Sequence, residues 1–451
     1  MDAMMNTAVD AHPQVDLGEF QSWWMPFTHN RMFKKQPRLI VRGQGAYYTL
    51  ADGRVVFDGI SGLWCSPLGH SPPHVVEAVR HQVGELDFSP SFQMGHPEAF
   101  RLAARIAGFA GRPADKIFFV NSGSEAVDTA LKIAVAYHRA RGEPSRTRII
   151  GRERAYHGVG LGGMSVGGIP ANRKAFSPLM ISGVDHLPHT LDISKMGYSR
   201  GEPVWGAHLA DELERLITLH DASNIAAVIV EPMQGSAAVI VPPVGYLGRL
   251  REICSRHGIL LIFDEVITGF GRLGEPFGAD FFGVKPDLIT FAKAVSNATV
   301  PLGGVIANSS IYEVFMTGPE HLIEFFHGYT YSAHPLAVAA ANATLDVFAE
   351  QQLVPRVKEL APSLENAIHS LRGEPLVTDI RNIGLAAAID VEPISGTPGL
   401  RAIRVFEQAL RDGLLLRFTG DSLVLAPPFI STEQEIRNAI EILRGALRHC
   451  V

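Results

Sequence analysis

Long apolar runs are missing from this chain. The longest hold about six residues, far short of the ~20 that cross a bilayer. Cysteine is scarce. Cys65, Cys254 and Cys450 are odd in number and far apart. That excludes a disulfide framework and reads as free thiols in a reducing compartment. Their spacing suggests no cysteine–histidine metal site. No run of basic residues is long enough to hold a polyanion, and 40 Lys and Arg against 46 Asp and Glu leave a net charge of −6. Nucleic acid and anionic membranes are therefore poor partners. The opening stretch, MDAMMNTAVDAHPQVDLGEF, carries acids and no apolar core, unlike a secretory signal. The expected location is cytoplasmic, with about 15 loosely ordered residues at the start. Internal repeats and low-complexity segments are absent.

What is present is an ordinary globular composition over 451 residues, 46% hydrophobic and 19% charged. A chain this long buries a large core, and its apolar balance suits a surface partly used in a subunit interface. From about residue 100, short apolar strands alternate with helical stretches. KIFFV (116–120), TRIIG (147–151), IAAVIVEP (225–232), ILLIFDEV (259–266), DLITFA (287–292) and GGVIA (303–307) read as strands. A helix is expected over Glu125 to Arg141, and another ends at Gly258. This order predicts an α/β fold whose large domain has a mostly parallel sheet flanked by helices. Residues 37–62 read as hairpin strands around Asp52-Gly53. After Pro335 come two helices, short strands near TDIRNIGLAAAID and GLLLRFTGDSLVLAPP, and a last helix from Thr432. The expected division is 1–70 and 335–451 forming a smaller α+β domain around a large domain at 71–334.

Three central strands end on polar residues. KIFFV runs into NSGSEA, ILLIF into Asp264 and Glu265, and DLITFA into Lys293. In an open parallel sheet the carboxyl ends share one edge, where ligands bind. Ser122, Gly123 and Ser124 open a helix, so its free amides form an anion site that Gly123 lets a phosphate approach. A plain capped helix start is the competing reading, with Ser124 as N-cap. The stretch is not a nucleotide-binding motif, and the glycine fingerprint after an early strand that a nicotinamide-dependent oxidoreductase needs is not expected in this chain. Asp264 after five apolar residues needs a partner, either a turn amide or a protonated ring nitrogen. Lys293 is a snorkelling surface lysine or a nucleophile toward carbonyls. A phosphate cradle, a buried aspartate and a strand-end lysine together suit pyridoxal 5′-phosphate.

At these residues the chain resembles the class III aminotransferases of pyridoxal-phosphate fold type I. The shared motifs run from about Phe20 to Leu447: NSGSEAVDTALKIA, YHG, EPMQGS, LLIFDEVITGFGR, DLITFAKA and HGYTYSAHPLA. WWMPFT, GLWCSPLGH and KAVSNATVPLGGVI place the likeness in the ω-amino acid:pyruvate group, with donors of the β-alanine type. The resemblance implies pyridoxal phosphate held in a homodimer with active sites at the interface, with a tetramer formed by two dimers as the larger alternative. Lys293 is similar to the lysine that joins the cofactor and carries the proton, and Asp264 to the partner of the pyridine nitrogen. Tyr156 would stack on the ring, Val266 would cover its other face, and His157 and Glu231 would complete the cofactor site. Ser122, Gly123 and Ser124 would hold the phosphate, and Thr330 the phosphate of the other subunit. Phe27, Trp64, Phe92, Ile267 and Arg417 would shape the substrate pocket, with Phe92 coming from the neighbouring subunit and Arg417 binding the carboxylate. Many class III enzymes carry DEVQTG where this chain has DEVITG. A polar contact to the cofactor is thus expected to be missing at Ile267, as in the ω-amino acid:pyruvate group. Taurine, a diamine or S-adenosylmethionine remains an alternative donor. Outside the class, a catalytically silent binding protein of this fold is the alternative, opposed by the retained Lys293 and Asp264.

Overall fold

The computed structural model describes residues 17–451. The loosely ordered start expected from the sequence lies outside the described residues. Three strands come first, β1 (Ile40–Gln44), β2 (Tyr47–Leu50) and β3 (Val55–Asp58). They pair antiparallel, and Gly53 supplies the left-handed φ of +86° in the turn between β2 and β3.

A seven-stranded sheet holds β4 (Lys116–Val120), β5 (Arg148–Arg152), β6 (Val184–Leu187), β7 (Ile225–Val230), β8 (Leu260–Asp264), β9 (Leu288–Phe291) and β10 (Gly303–Ala307). Their spatial order is β4-β10-β9-β8-β7-β5-β6. The pairs among β5 to β9 are parallel. Only β10 runs against its neighbours, antiparallel to β4 and β9 alike. Two reversals restore direction, so β4 ends on the same edge as β8 and β9. Alternation along the strands feeds two cores. Val228, Val230, Leu261 and Phe263 join the helix Tyr246–His257 through Leu250 and Ile253. Ala227, Ile229, Leu260 and Ile262 face the helix Gly123–Ala140 through Ala126, Ala130 and Ile133. Burial on both faces is why β7 and β8 read as continuous apolar runs.

The chain then adds β11 (Val377–Ile383), β12 (Ala386–Val391), β13 (Leu414–Leu415), β14 (Arg417–Thr419) and β15 (Ser422–Leu425). β11, β12, β15 and β14 form an antiparallel sheet, while β13 pairs parallel with β3 through Leu414 and Phe57. Early and late segments of the chain thereby share a sheet. The last helix, Glu433–His449, starts from a Thr432–Glu435 capping box.

Three details differ from expectation. β6 was not expected, because VDHL carries no apolar run. β8 stops at Asp264 rather than 266, and Glu265 turns inward to cap the short helix Gly278–Phe281. There it accepts from the amides of Gly278 and Ala279 and from Thr268. The helix after β4 begins at Gly123, so its cap is Ser122, whose hydroxyl accepts from the Glu125 amide at 3.2 Å. Ser124 is already helical and free for another contact.

Candidate active site

Five strand ends meet in one cleft. It is lined by Gly123 and Ser124 after β4, Tyr156 to Gly158 after β5, Glu231 and Ser236 after β7, Asp264, Val266 and Ile267 after β8, and Lys293 after β9. The reversed β10 makes this possible, since it brings the end of β4 to the edge where β8 and β9 finish.

Asp264 is 6% exposed and fully engaged. One carboxylate oxygen meets His157 Nδ1 at 2.7 Å. The other accepts from Thr290 Oγ1 at 3.1 Å and from the Val266 amide at 3.2 Å. Two carboxylate oxygens carry about four lone-pair sites, so one is left for a donor in the cleft. His157 is buried, and its Nε2 has no partner among the described residues.

Lys293 follows β9 with φ of +51°. A lysine in the left-handed region costs about 1–3 kcal/mol, which the surrounding packing must hold. Its amine makes no hydrogen bond or ion pair among the described residues. Burial lowers its pKa, opposed by the nearby Cys65, Asp264 and Glu231. An amine easily deprotonated and without a partner is ready to attack a carbonyl.

The helix start is shaped for close approach. A Cβ at Gly123 would lie 3.0 Å from both Val266 methyls. Ser124 Oγ accepts from the Val159 amide at 3.1 Å. Gly158, with φ of +91°, presses on Ser124 so closely that any side chain would clash. Gly158, Gly160 and Gly163 do fall at dinucleotide-fingerprint spacing. Here they let the loop lie on Asp128 and on the His157 carbonyl, so the spacing serves packing. Glu231 accepts from the Tyr156 amide at 2.9 Å, and burial pushes its carboxyl up to about 7. Burial likewise raises the Tyr156 phenol.

The substrate-side residues separate. Ile267 lines the cleft with an apolar surface, as its sequence context implied. Trp64 is 2% exposed in a buried cluster with Ile267, Met233 and Val239, and its indole N–H has no hydrogen-bond partner among the described residues. Phe27 meets the Tyr156 ring edge-on at 6.4 Å. Arg417, on β14, is half-buried and pairs with no carboxylate among the described residues. Its charge is felt at Tyr156 and Lys293, and burial lowers its own pKa. Phe92 and Thr330 stand outside the cleft. Phe92 is 57% exposed and lines a separate apolar hollow with Ile323, Phe326 and Gly328, while Thr330 is exposed. Ser236 and Gly158 line the cleft without having been singled out. Both close quoted motifs, EPMQGS and YHG, which was their only signal.

The arrangement defines a site for an anionic, carbonyl-bearing aromatic group. A free lysine faces it, a helix start can take its anion, and a carboxylate with one open lone pair can take a ring N–H. Pyridoxal phosphate fits each of these features. Comparison with known proteins agrees. The aminotransferase class-III family model matches residues 29–447, and the chain belongs to that family. It is 54% identical to an omega-aminotransferase of Caulobacter vibrioides, over 96% of this chain and 99% of that one. It is 51% identical to a beta-alanine–pyruvate aminotransferase of Pseudomonas aeruginosa, over 99% of both. Among solved structures, an omega transaminase of Pseudomonas jessenii in complex with PMP superposes with a TM-score of 0.91 at 31% identity, covering 97% of this chain and 98% of that one. A PLP-bound amine transaminase from an uncultivated Pseudomonas species gives 0.88 at 35%, covering 95% and 99%.

Proposed function

We propose that this aminotransferase moves the amino group of an ω-amino acid or amine of the β-alanine type to pyruvate. The products are an aldehyde or ketone and L-alanine, and pyridoxal 5′-phosphate is the cofactor. Both half-reactions use one pocket, so the kinetics are ping-pong. The observation that carries this reading is the convergence of an unpaired Lys293 amine and an anchored Asp264 on one cleft, with the Arg417 charge felt at Lys293 and Tyr156.

When bound, pyridoxal phosphate supplies an electron sink for the pair left as a proton leaves the carbon bearing nitrogen. The protein holds and moves that proton. Lys293 Nζ, whose pKa burial lowers, takes it up and returns it. Asp264, fixed by His157 and Thr290, keeps a positive ring nitrogen charged. The helix start at Ser122 to Ser124 binds the phosphate. Tyr156 and Val266 enclose the ring, with Glu231 holding the Tyr156 backbone. Arg417 takes the carboxylate of pyruvate or of a β-alanine-like donor bidentately. For an uncharged amine, Phe27 and Trp64 supply apolar contact instead.

Two chains complete the site in this reading. Phe92 and Thr330, exposed and away from their own Lys293, reach the cleft of a partner in a homodimer. The division into a central domain at 71–334 and a smaller one from 1–70 and 335–451 is supported by the pairing of β3 with β13. Unpaired thiols support a cytoplasmic setting, and no helix among the described residues is long and apolar enough to cross a membrane.

The test is the visible spectrum of purified protein as β-alanine and then pyruvate are added. The expected result is a yellow protein that bleaches with the amine and recolours with pyruvate. Colour without bleaching removes β-alanine and turns the panel to taurine and diamines. No colour after added cofactor overturns the reading.

A further inference from the structure

Two strained segments meet behind the cleft. One is the turn after β9, where Lys293, Asn297 and Ala298 all have positive φ, of +51°, +51° and +55°. The other follows β3, where Ser61, Gly62 and Trp64 have φ of +49°, +67° and +67°. Non-glycine residues gather in this region only where something over-determines them, and such sites are often functional. The second segment is held from one side by Asp58. Its fully buried carboxylate accepts from the amides of Ile60 at 3.1 Å and Gly62 at 2.6 Å and meets His70 Nε2 at 2.8 Å. One side chain ties the first segment to Leu68 and Gly69, just beyond the second. Asn297 is 4% exposed. Its Oδ1 accepts from the Leu68 amide at 2.9 Å, and its Nδ2 donates to the Gly69 carbonyl at 2.8 Å. The next residue, Ala298, donates its amide to the Lys293 carbonyl at 3.3 Å.

We propose that Asn297 is a positioning residue that fixes the Lys293 turn against the segment bearing Trp64, so that the amine and the apolar donor wall keep one mutual register. This rests on the role proposed for Lys293. A turn alone would need only a residue that tolerates positive φ, which glycine does better than asparagine. The amide uses both its donor and its acceptor on a segment over two hundred positions away, and that is work a turn does not require. Asp58 anchors only the Trp64 side, so the two residues divide the effect: Asn297 governs the lysine and the wall, Asp58 the wall alone.

The variants are Asn297→Gly, which keeps the backbone and removes both bonds, and Asn297→Asp, which keeps the shape and loses the donor. Three properties are read: the rate at which colour develops when pyridoxal phosphate is added to the apoprotein, the pH midpoint of the visible band, and kcat and KM for β-alanine and a bulky aryl amine. Asn297→Gly is expected to slow colour development several-fold, move the midpoint, and lower kcat with both amines more than it raises KM. Asn297→Asp is expected to fall between it and the parent. Asp58→Asn is expected to raise KM for the bulky amine and leave the midpoint in place. If Asn297→Gly lowers thermal stability alone, with midpoint, colour rate and kcat per bound cofactor unchanged, the proposal fails and Asn297 only holds a fold. Should Asn297→Gly not fold, Asn297→Asp decides by the same readings. A parent protein that never colours would instead overturn the proposed function.

Discussion

The two ends of the cleft are built in opposite ways. At the Asp264 end the carboxylate is held from three directions: His157, Thr290 and the Val266 amide all contribute to it. At the Arg417 end a guanidinium stands half-buried with no carboxylate beside it among the described residues. The first end holds one charge in one place, which suits a resident group whose geometry never changes. The second pairs with nothing of its own, which suits a ligand that is sometimes an anion and sometimes not. In the proposed reading, a rigid half and an adaptable half let one pocket serve two different substrates.

The sharpest break is at the rigid end. Lys293→Ala is expected to remove at least about 10²–10⁴-fold of activity, the usual contribution of a positioned proton carrier, and single-turnover bleaching with β-alanine checks it. Retained turnover would place the proton elsewhere. Asp264→Asn, which keeps the shape but not the charge, should cost about 10²-fold or more, read as kcat in both half-reactions.

The adaptable end should break selectively. Arg417→Ala is expected to cost about 10–100-fold in kcat/KM for pyruvate, the worth of a lost charge-assisted pair. An uncharged aryl amine should lose much less. Equal losses in the two half-reactions would erase the distinction between the ends.

The smallest effect concerns pH. Glu231 is buried, and its carboxyl is pushed up to about 7 from 4.5. Below about 4.5 both folded and unfolded chains hold its proton. Between 4.5 and 7 the unfolded chain has lost it while the folded chain keeps it, so folding stability falls as pH rises through that window. The drop is up to about 3 kcal/mol for this group. Glu231→Gln, which still accepts from the Tyr156 amide, should flatten that part of the stability curve in urea titrations.

Much of this site could be read along the chain. Lys293, Asp264 and Ser122 to Ser124 stand at strand ends, where an apolar run stops at a polar residue, and the unbroken apolar runs of β7 and β8 announce two covered faces. Ser236 and Gly158 were harder, because a small residue at the end of a motif leaves no pattern of its own. β6 was illegible because VDHL has neither an apolar run nor a clear period. Ser122 rather than Ser124 became the cap because the helix begins at Gly123, two residues before the expected Glu125, and only the hydrogen bond decides between the two serines.

The sequence by itself determined the strand and helix periods, the residues able to do chemistry and their places at strand ends, because these are local properties of side-chain pattern. Tertiary structure alone decided that β10 runs backward and so brings β4 to the shared edge. It also decided that His157 holds Asp264 across 107 positions, and that Asn297 ties Lys293 to a segment 229 positions away. Such pairings come from how packed layers meet, and a hydrogen bond between distant residues leaves no period in the chain for a reader to find.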